Sequence, residues 1–325
     1  MAGQIWATNS LGGFFYSLNL SDELRIALQP TSRFRQFCDA ADSVGKSKGQ
    51  TWTWDVVSNV ATAGGTLVET NTMPETNFTI TQGTLTITEY GNSVPYSGKL
   101  EDLSKFSVRK PVMQALRNDA NKVLDKAAYA QFYLCPIRIS VSGTAGTNTT
   151  AIQLSTGTCT ITNQVALQSG HIKSIVDTMK ERNVPAYVGD DYVSIAWPTT
   201  YRTFKNQLET LKQYTETGIK MIFNGEIGRY EGVRFVEQTN VSKGITATGS
   251  SGTAWTGGDS DWAFFMGEDT VMEGVAIPVE MRAKIPTDYG RSKGVAWYAL
   301  EGFGLAHTQA NGDAQSRVFI WDSQA

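Results

Sequence analysis

The strongest periodic signal in the chain lies between residues 107 and 134. Val112, Leu116, Ala120, Val123, Ala127, Ala130 and Leu134 recur at steps of three and four. That spacing draws one apolar stripe along an α-helix. Arg109, Lys110, Arg117, Asn118, Asn121, Lys122 and Asp125 fall mostly off the stripe. Ser107 is placed to act as N-cap, Pro111 sits near the first turn, where proline is tolerated, and Pro136 ends the run. A helix of this span is roughly 42 Å long. Its stripe reads as a core face.

Upstream, the period changes to two. Trp52 and Trp54 alternate with Thr51 and Thr53, and Gly64-Gly65 interrupts the run. Phe78 and Ile80, then Leu85 and Ile87, alternate with threonines around Gln82-Gly83. From Phe78 to Tyr90 the pattern predicts a ribbon of roughly 44 Å, well beyond the usual strand of about 5–6 residues. One of its faces is threonine and the other is thinly apolar. Such a ribbon cannot stand alone in water, and the pattern predicts cover from another chain rather than from its own body.

The remaining elements alternate in type. Residues 1–44 read as an extended arm with one short helix at Leu18–Ala27, capped by Ser21 and stopped at Gln29-Pro30-Thr31. Phe34 and Phe37 follow with no local groove to fill. Residues 137–162 read as a β-hairpin with a tip at Gly143–Thr150. A second helix over 163–182 turns Val165, Ile172, Ile175, Val176 and Met179 inward. Tyr192–Trp197 is a short buried strand closed by Pro198, and Thr199–Tyr214 is a third helix. Strands return at 219–238, Trp262–Met266, Val275–Arg282, Gly294–Leu300 and Arg317–Trp321. Residues 244–261, rich in Gly, Ser and Thr, read as a surface loop. The order gives an α+β protein with a sheet at its centre.

Composition narrows the function. The chain has 325 residues, enough for two domains or one composite unit. Charged residues make up 18%, below the soluble average of about 25%. Net charge is −3, which argues against a dedicated nucleic-acid binder. Two histidines and three cysteines disfavour a histidine-rich metal site, a zinc ribbon and a disulfide framework. No apolar run is long enough for a membrane helix, and the start lacks the pattern of a secretory leader.

Candidate chemistry is thin. Gly45-Lys46-Ser47 resembles the end of a phosphate-binding loop, but Ala40 stands where the motif needs glycine. Asp190-Asp191, Asp259-Ser260-Asp261 and Glu268-Asp269 are paired carboxylates in turns, read as solvated acids rather than calcium ligands. His171 reads as a surface or helix-packing residue, and His307 has no evident partner. Trp52, Trp54, Trp255 and Trp262 read as packing residues ahead of a stacking platform for sugars or bases. No catalytic, cofactor-binding or metal-ligating residue is assigned, and no cofactor is expected.

One constellation is more specific. Gly225-Glu226-Ile227-Gly228-Arg229-Tyr230-Glu231-Gly232-Val233-Arg234-Phe235-Val236-Glu237 resembles the G-x-I-G…G-V signature of the N4-type family of tailed-phage major capsid proteins. Glu89-Tyr90-Gly91 with Leu100-Glu101-Asp102-Leu103 resembles that family's Y-G…D-L segment. Val184-Pro185, Tyr192-Val193 and Trp197-Pro198 resemble its V-P…Y-V…H-P run, with Trp197 where histidine is frequent. Val271–Glu273 and Val295-Ala296-Trp297 resemble its closing strands.

The resemblance implies an α+β HK97-like capsid fold and a non-enzymatic structural role in an icosahedral phage head. It implies an N-terminal arm at 1–44 and an extended β-loop region at 45–106. A peripheral domain with its spine helix and an inserted hairpin would occupy 107–162. An axial domain would span 163–238, and 239–325 would hold a surface loop and the returning strands. The arm, with Phe34 and Phe37 unburied, would dock on a neighbour. Implied partners are further copies in hexamers and pentamers, with scaffolding, portal and decoration proteins. Packaged double-stranded DNA would be met only by weak non-specific contact, and no membrane is implied. The implied location is the virion capsid, assembled in the host cytoplasm. An encapsulin-like compartment and a β-rich carbohydrate-binding or hydrolytic protein remain the alternatives.

Overall fold

The computed structural model describes residues 28–40, 49–57, 64–70, 72–104, 107–141, 151–156, 165–212, 228–243, 261–286, 288–307 and 315–323. The expected helix at Leu18–Ala27, the Gly45-Lys46-Ser47 triplet, the hairpin tip, Trp255 and most of the 244–261 loop lie outside them. So does the Gly225-Glu226-Ile227 start of the signature.

Two sheets organise the chain. The first has four strands in the order β1 (Asp39–Ala40), β11 (Val271–Ala283), β12 (Ser292–Leu305) and β4 (Thr88–Ser97). The second has seven, ordered β6 (Ile152–Thr156), β5 (Ile137–Val141), β13 (Val318–Ser323), β10 (Asp261–Met266), β7 (Tyr192–Ala196), β9 (Val233–Glu237) and β8 (Arg229–Tyr230). A separate two-stranded ribbon pairs β2 (Thr51–Val57) with β3 (Ile80–Thr86).

The long helix, α2, runs over Arg109–Tyr133 and serves both sheets. Its fully buried apolar residues are Val112, Leu116, Ala120, Leu124, Ala128 and Phe132, each four after the last. This corrects the sequence pattern, which put Val123, Ala127, Ala130 and Leu134 on the inner face. Ala130 and Leu134 are exposed. Four residues advance a helix by one turn plus about 40°, so five such steps carry the stripe roughly 200° round the axis. The first half therefore faces one way and the second half nearly the opposite way. Val112, Leu116 and Ala120 join Tyr96, Leu100, Val295 and Trp297 beneath the four-stranded sheet. Leu124, Ala128 and Phe132 enter the larger core of the seven-stranded sheet. Asp119 fixes the first contact by accepting from Trp297 Nε1 and Asn92 Nδ2, both at 2.9 Å.

The seven-stranded sheet is covered on both faces. Trp262 and Phe264 of β10 meet Tyr133 and Tyr129 of α2. On the other face, Trp321 of β13 stacks on His171 of α3 (Ser169–Glu181) at 4.8 Å. Phe235 of β9 packs on Phe204 of α4 (Arg202–Lys212), on that same side. Strands buried on both faces read as continuous apolar runs, and Asp261–Met266 and Tyr192–Ala196 do so. The β5–β6 hairpin pairs with β13 inside this sheet. It is thus part of the large core and not an insertion beside the spine helix.

Two further readings change. Phe78–Tyr90 is not one strand, because the chain leaves the ribbon after Thr86 and β4 begins at Thr88. Phe34 needs no neighbour: it is fully buried, with ring centroids 5.1, 5.5 and 5.2 Å from Tyr129, Phe132 and Phe264. Phe37 packs on Tyr187 at 5.5 Å. The groove that they fill is built by residues more than 90 positions away, which no local pattern reveals. Phe34→Ala removes that plug. The expected cost is about 3–5 kcal/mol in urea unfolding; a change under about 1 kcal/mol would mean that the ring is not a core residue.

Candidate assembly surfaces

The segment around Phe34 lies across the joint between the two sheets. Its 3-10 turn, Phe34–Phe37, is held by polar contacts from every side. Arg35 donates from Nε and Nη2 to Glu273 Oε1 at 2.9 and 2.7 Å, and its Nη2 lies 3.1 Å from Glu301 Oε2. Asp125 of α2 accepts the Arg35 backbone N–H at 3.2 Å and the Asn240 amide at 2.9 Å. Thr31 and Thr239 exchange two hydrogen bonds, at 2.9 and 3.1 Å. Asp39-Ala40 then adds a parallel strand to β11. One short segment thus ties α2, the four-stranded sheet and the chain leaving β9.

The carboxylates at this joint lie in a poor solvent for charge. Burial pushes Glu301 above the usual carboxylate range, opposed by Arg35. Burial likewise raises Asp125, opposed by the Asn240 hydrogen bond. At the rim the balance reverses: a hydrogen bond from His307 draws Asp269 down, helped by Arg317.

The ribbon leaves from the opposite face of β12. Trp297, Ala299 and Phe303 point inward, so Gly302 and Gly304 point outward. A methyl on Gly302 would lie 2.5 Å from the Thr86 carbonyl, and one on Gly304 would lie 3.0 Å from that of Thr84. Leu85 fills the space above them and is fully buried. Trp54 crosses Gly83 of the paired strand, and its Nε1 donates to the Ala306 carbonyl at 2.9 Å. The ribbon's root is therefore seated on its own body, which corrects the expectation of cover from another chain alone. Its distal half is different. Val57, Leu67, Val68, Met73, Phe78 and Ile80 are each more than half exposed.

The other residues singled out in the sequence are dispersed. His171 is buried, and its Nδ1 accepts the Gln168 backbone N–H at 3.1 Å, closing a capping box on α3. His307 has a partner after all, with Nε2 3.3 Å from Asp269. Asp191 is buried rather than solvated and binds Arg229 at 2.5 Å and Arg234 at 2.8 Å. Asp261 is also buried, 2.9 Å from Lys243. Trp262 is a core residue bonded to Asp322, so the tryptophans form no shared cleft. Among the described residues, no group of three or more His, Cys, Asp or Glu is arranged to hold a metal ion. Glu301 and Gly302 were overlooked, although a signal existed. Glu301 sits in phase with the inward Trp297, Ala299 and Phe303, and Gly302 and Gly304 are in phase with each other on the outward side.

Two outcomes follow from this geometry. A group whose folded pKa is raised costs stability when ionised, so the protein gains stability as pH falls through that pKa. Glu301→Gln is therefore expected to melt above the parent at pH 7. The gap should close below about pH 4, where the unfolded carboxyl is also protonated. A variant that melts below the parent at pH 7 would contradict this. Gly302→Val should lift the ribbon root from β12, exposing 83–87 to protease while the sheets stay folded. Unchanged protection would show that the ribbon is not seated there.

Comparison with known proteins places this architecture. A family described as phage capsid protein matches residues 35–315. No curated protein matches. Among solved structures, the capsid of cyanophage P-SCSP1u superposes with a TM-score of 0.67 at 13% identity, covering 95% of this chain and 94% of that one. The head of Helicobacter pylori bacteriophage KHP40 gives 0.68 at 14%, covering 95% of each. The capsid of Ralstonia phage GP4 gives 0.65 at 16%, covering 100% of this chain and 98% of that one. At such identity the likeness speaks for the fold, and the fold is the expected α+β, HK97-like one. With a family match across most of its length, the chain belongs to the phage capsid protein family.

Proposed function

We propose that the chain is the major capsid protein of a tailed double-stranded DNA phage, and that its copies close into the icosahedral head shell. Family membership over residues 35–315 supports the reading. The observation that carries it is the ribbon: a rooted, paired stem whose distal apolar side chains have no cover within their own subunit. An exposed apolar extension of this size marks an interaction surface. Copies related by closed symmetry supply the cover without growing into fibres.

In this reading the ribbon is the extended loop, α2 is the spine helix, and the four-stranded sheet is the body of the peripheral domain. The seven-stranded sheet with α3 and α4 forms the axial domain, meeting its like in hexamers and pentamers. Residues 1–44 serve as the arm, whose last part is clasped on its own body. The hairpin at 137–156 goes with the axial sheet. The role is structural and not catalytic. Scaffolding, portal and decoration proteins are proposed partners, and assembly is proposed to take place in the host cytoplasm. A chain of net charge −3 suits a container, because sequence-independent grip on phosphates needs a basic surface.

The test removes the extension and spares its root. Val57 pairs with Ile80, so residues 58–79 can be replaced by an Asn-Gly turn that closes the hairpin in register. The variant should keep the parent's circular dichroism and melting cooperativity, and fail to form closed particles by electron microscopy and light scattering. Normal shells from it would overturn the role given to the ribbon.

A further inference from the structure

A second surface complements the ribbon. Between the Phe34–Phe37 segment and the β8–β9 hairpin runs an open groove of about 870 Å³. Its walls carry Arg33, Arg229 and Arg234, with Phe37 and Val236 between them. Arg229 and Arg234 stand opposite each other on paired strands and share Asp191, so two positive charges face one buried carboxylate. Arg33 is exposed and meets only the Gln36 amide, at 3.4 Å.

The floor is a strand edge. Tyr192 N–H bonds the Gly232 carbonyl, and Gln238 N–H bonds that of Ala196. In a parallel ladder, this phase turns the backbone groups of 232, 234, 236 and 238 toward β7 and those of 233, 235 and 237 outward. The short β8 pairs Tyr230 with Val233 and Arg229 with Arg234. Among the described residues, nothing pairs with the outward groups of Phe235 and Glu237. A free edge flanked by cations and apolar side chains suits an extended, acidic, partly apolar segment.

The ribbon's extension has that chemistry. Residues 58–79 contain Glu69 and Glu75 and no lysine or arginine. Leu67, Val68, Met73 and Phe78 are exposed along it. We infer that the extension of one copy docks in the arginine-lined groove of a second copy, with Glu75 or Glu69 against Arg33 and an extended stretch along the edge of β9. This rests on the shell reading and gives the ribbon a stated receptor.

Charge reversal with rescue tests it in the full-length chain. Arg33 touches little, so Arg33→Glu should leave the melting curve unchanged and lower particle yield at least tenfold. Glu75→Arg alone should do likewise, and the double variant should recover most of the yield. In parallel, a photo-crosslinker at Phe78, in a mixture of isotope-labelled and unlabelled copies, should join that position to peptides spanning 31–37 or 228–237 of another copy. Normal assembly by both single variants would overturn the inference, as would an unrescued double variant or crosslinks confined to other regions. Particle formation by the unaltered chain tests the shell reading separately.

Discussion

The subunit depends on the drift of one apolar stripe. Six buried residues of α2, each four apart, wind about half-way round the helix because four residues exceed one turn. A straight stripe would have held one sheet. The winding one puts Val112, Leu116 and Ala120 under β4 and β12, and Leu124, Ala128 and Phe132 against the second core. The two lobes are thereby fixed to one rod. What each lobe does at a contact with another copy is transmitted through that rod and not through a hinge.

The second constraint is the clasp at the joint. Phe34 contributes area and Arg35 contributes charge, with Glu273, Glu301 and Asp125 drawn from three separate elements. Breaking a buried ion pair on one side strands the other charge, which costs far more than the pair contributes net. Such a cluster gains little stability for its complexity. It does specify one arrangement of the sheets and the incoming chain. That suits a subunit whose contacts must repeat identically, since a loose joint would spoil closure.

Much of this was legible in the sequence. The period of α2, the alternation around Trp52 and Trp54, and the buried strands at Tyr192 and Trp262 follow from spacing alone. The ordered motifs from Glu89 to Trp297 carried the family. What escaped notice depended on distance. Phe34 looked uncovered because its pocket comes from α2 and β10. The stripe was assigned to Ala130 and Leu134 because period fixes a face only where a helix has one partner, and α2 has two. The ribbon looked free-standing because its seat is a pair of glycines on β12, residues that signal by what they lack. Asp191 and Asp261 looked solvated because a turn acid and a buried ion pair share the same local sequence.

These features make one account: a rigid two-lobed body, a clasped arm, and a rooted ribbon whose outer half is completed by another copy. The most direct measurement is a near-atomic electron-microscopy reconstruction of particles formed by the full-length chain. The account predicts a closed icosahedral shell in which Met73 and Phe78 of each subunit are covered by a neighbour. A monodisperse monomer at every concentration, or a shell in which the ribbon folds back on its own subunit, would contradict it.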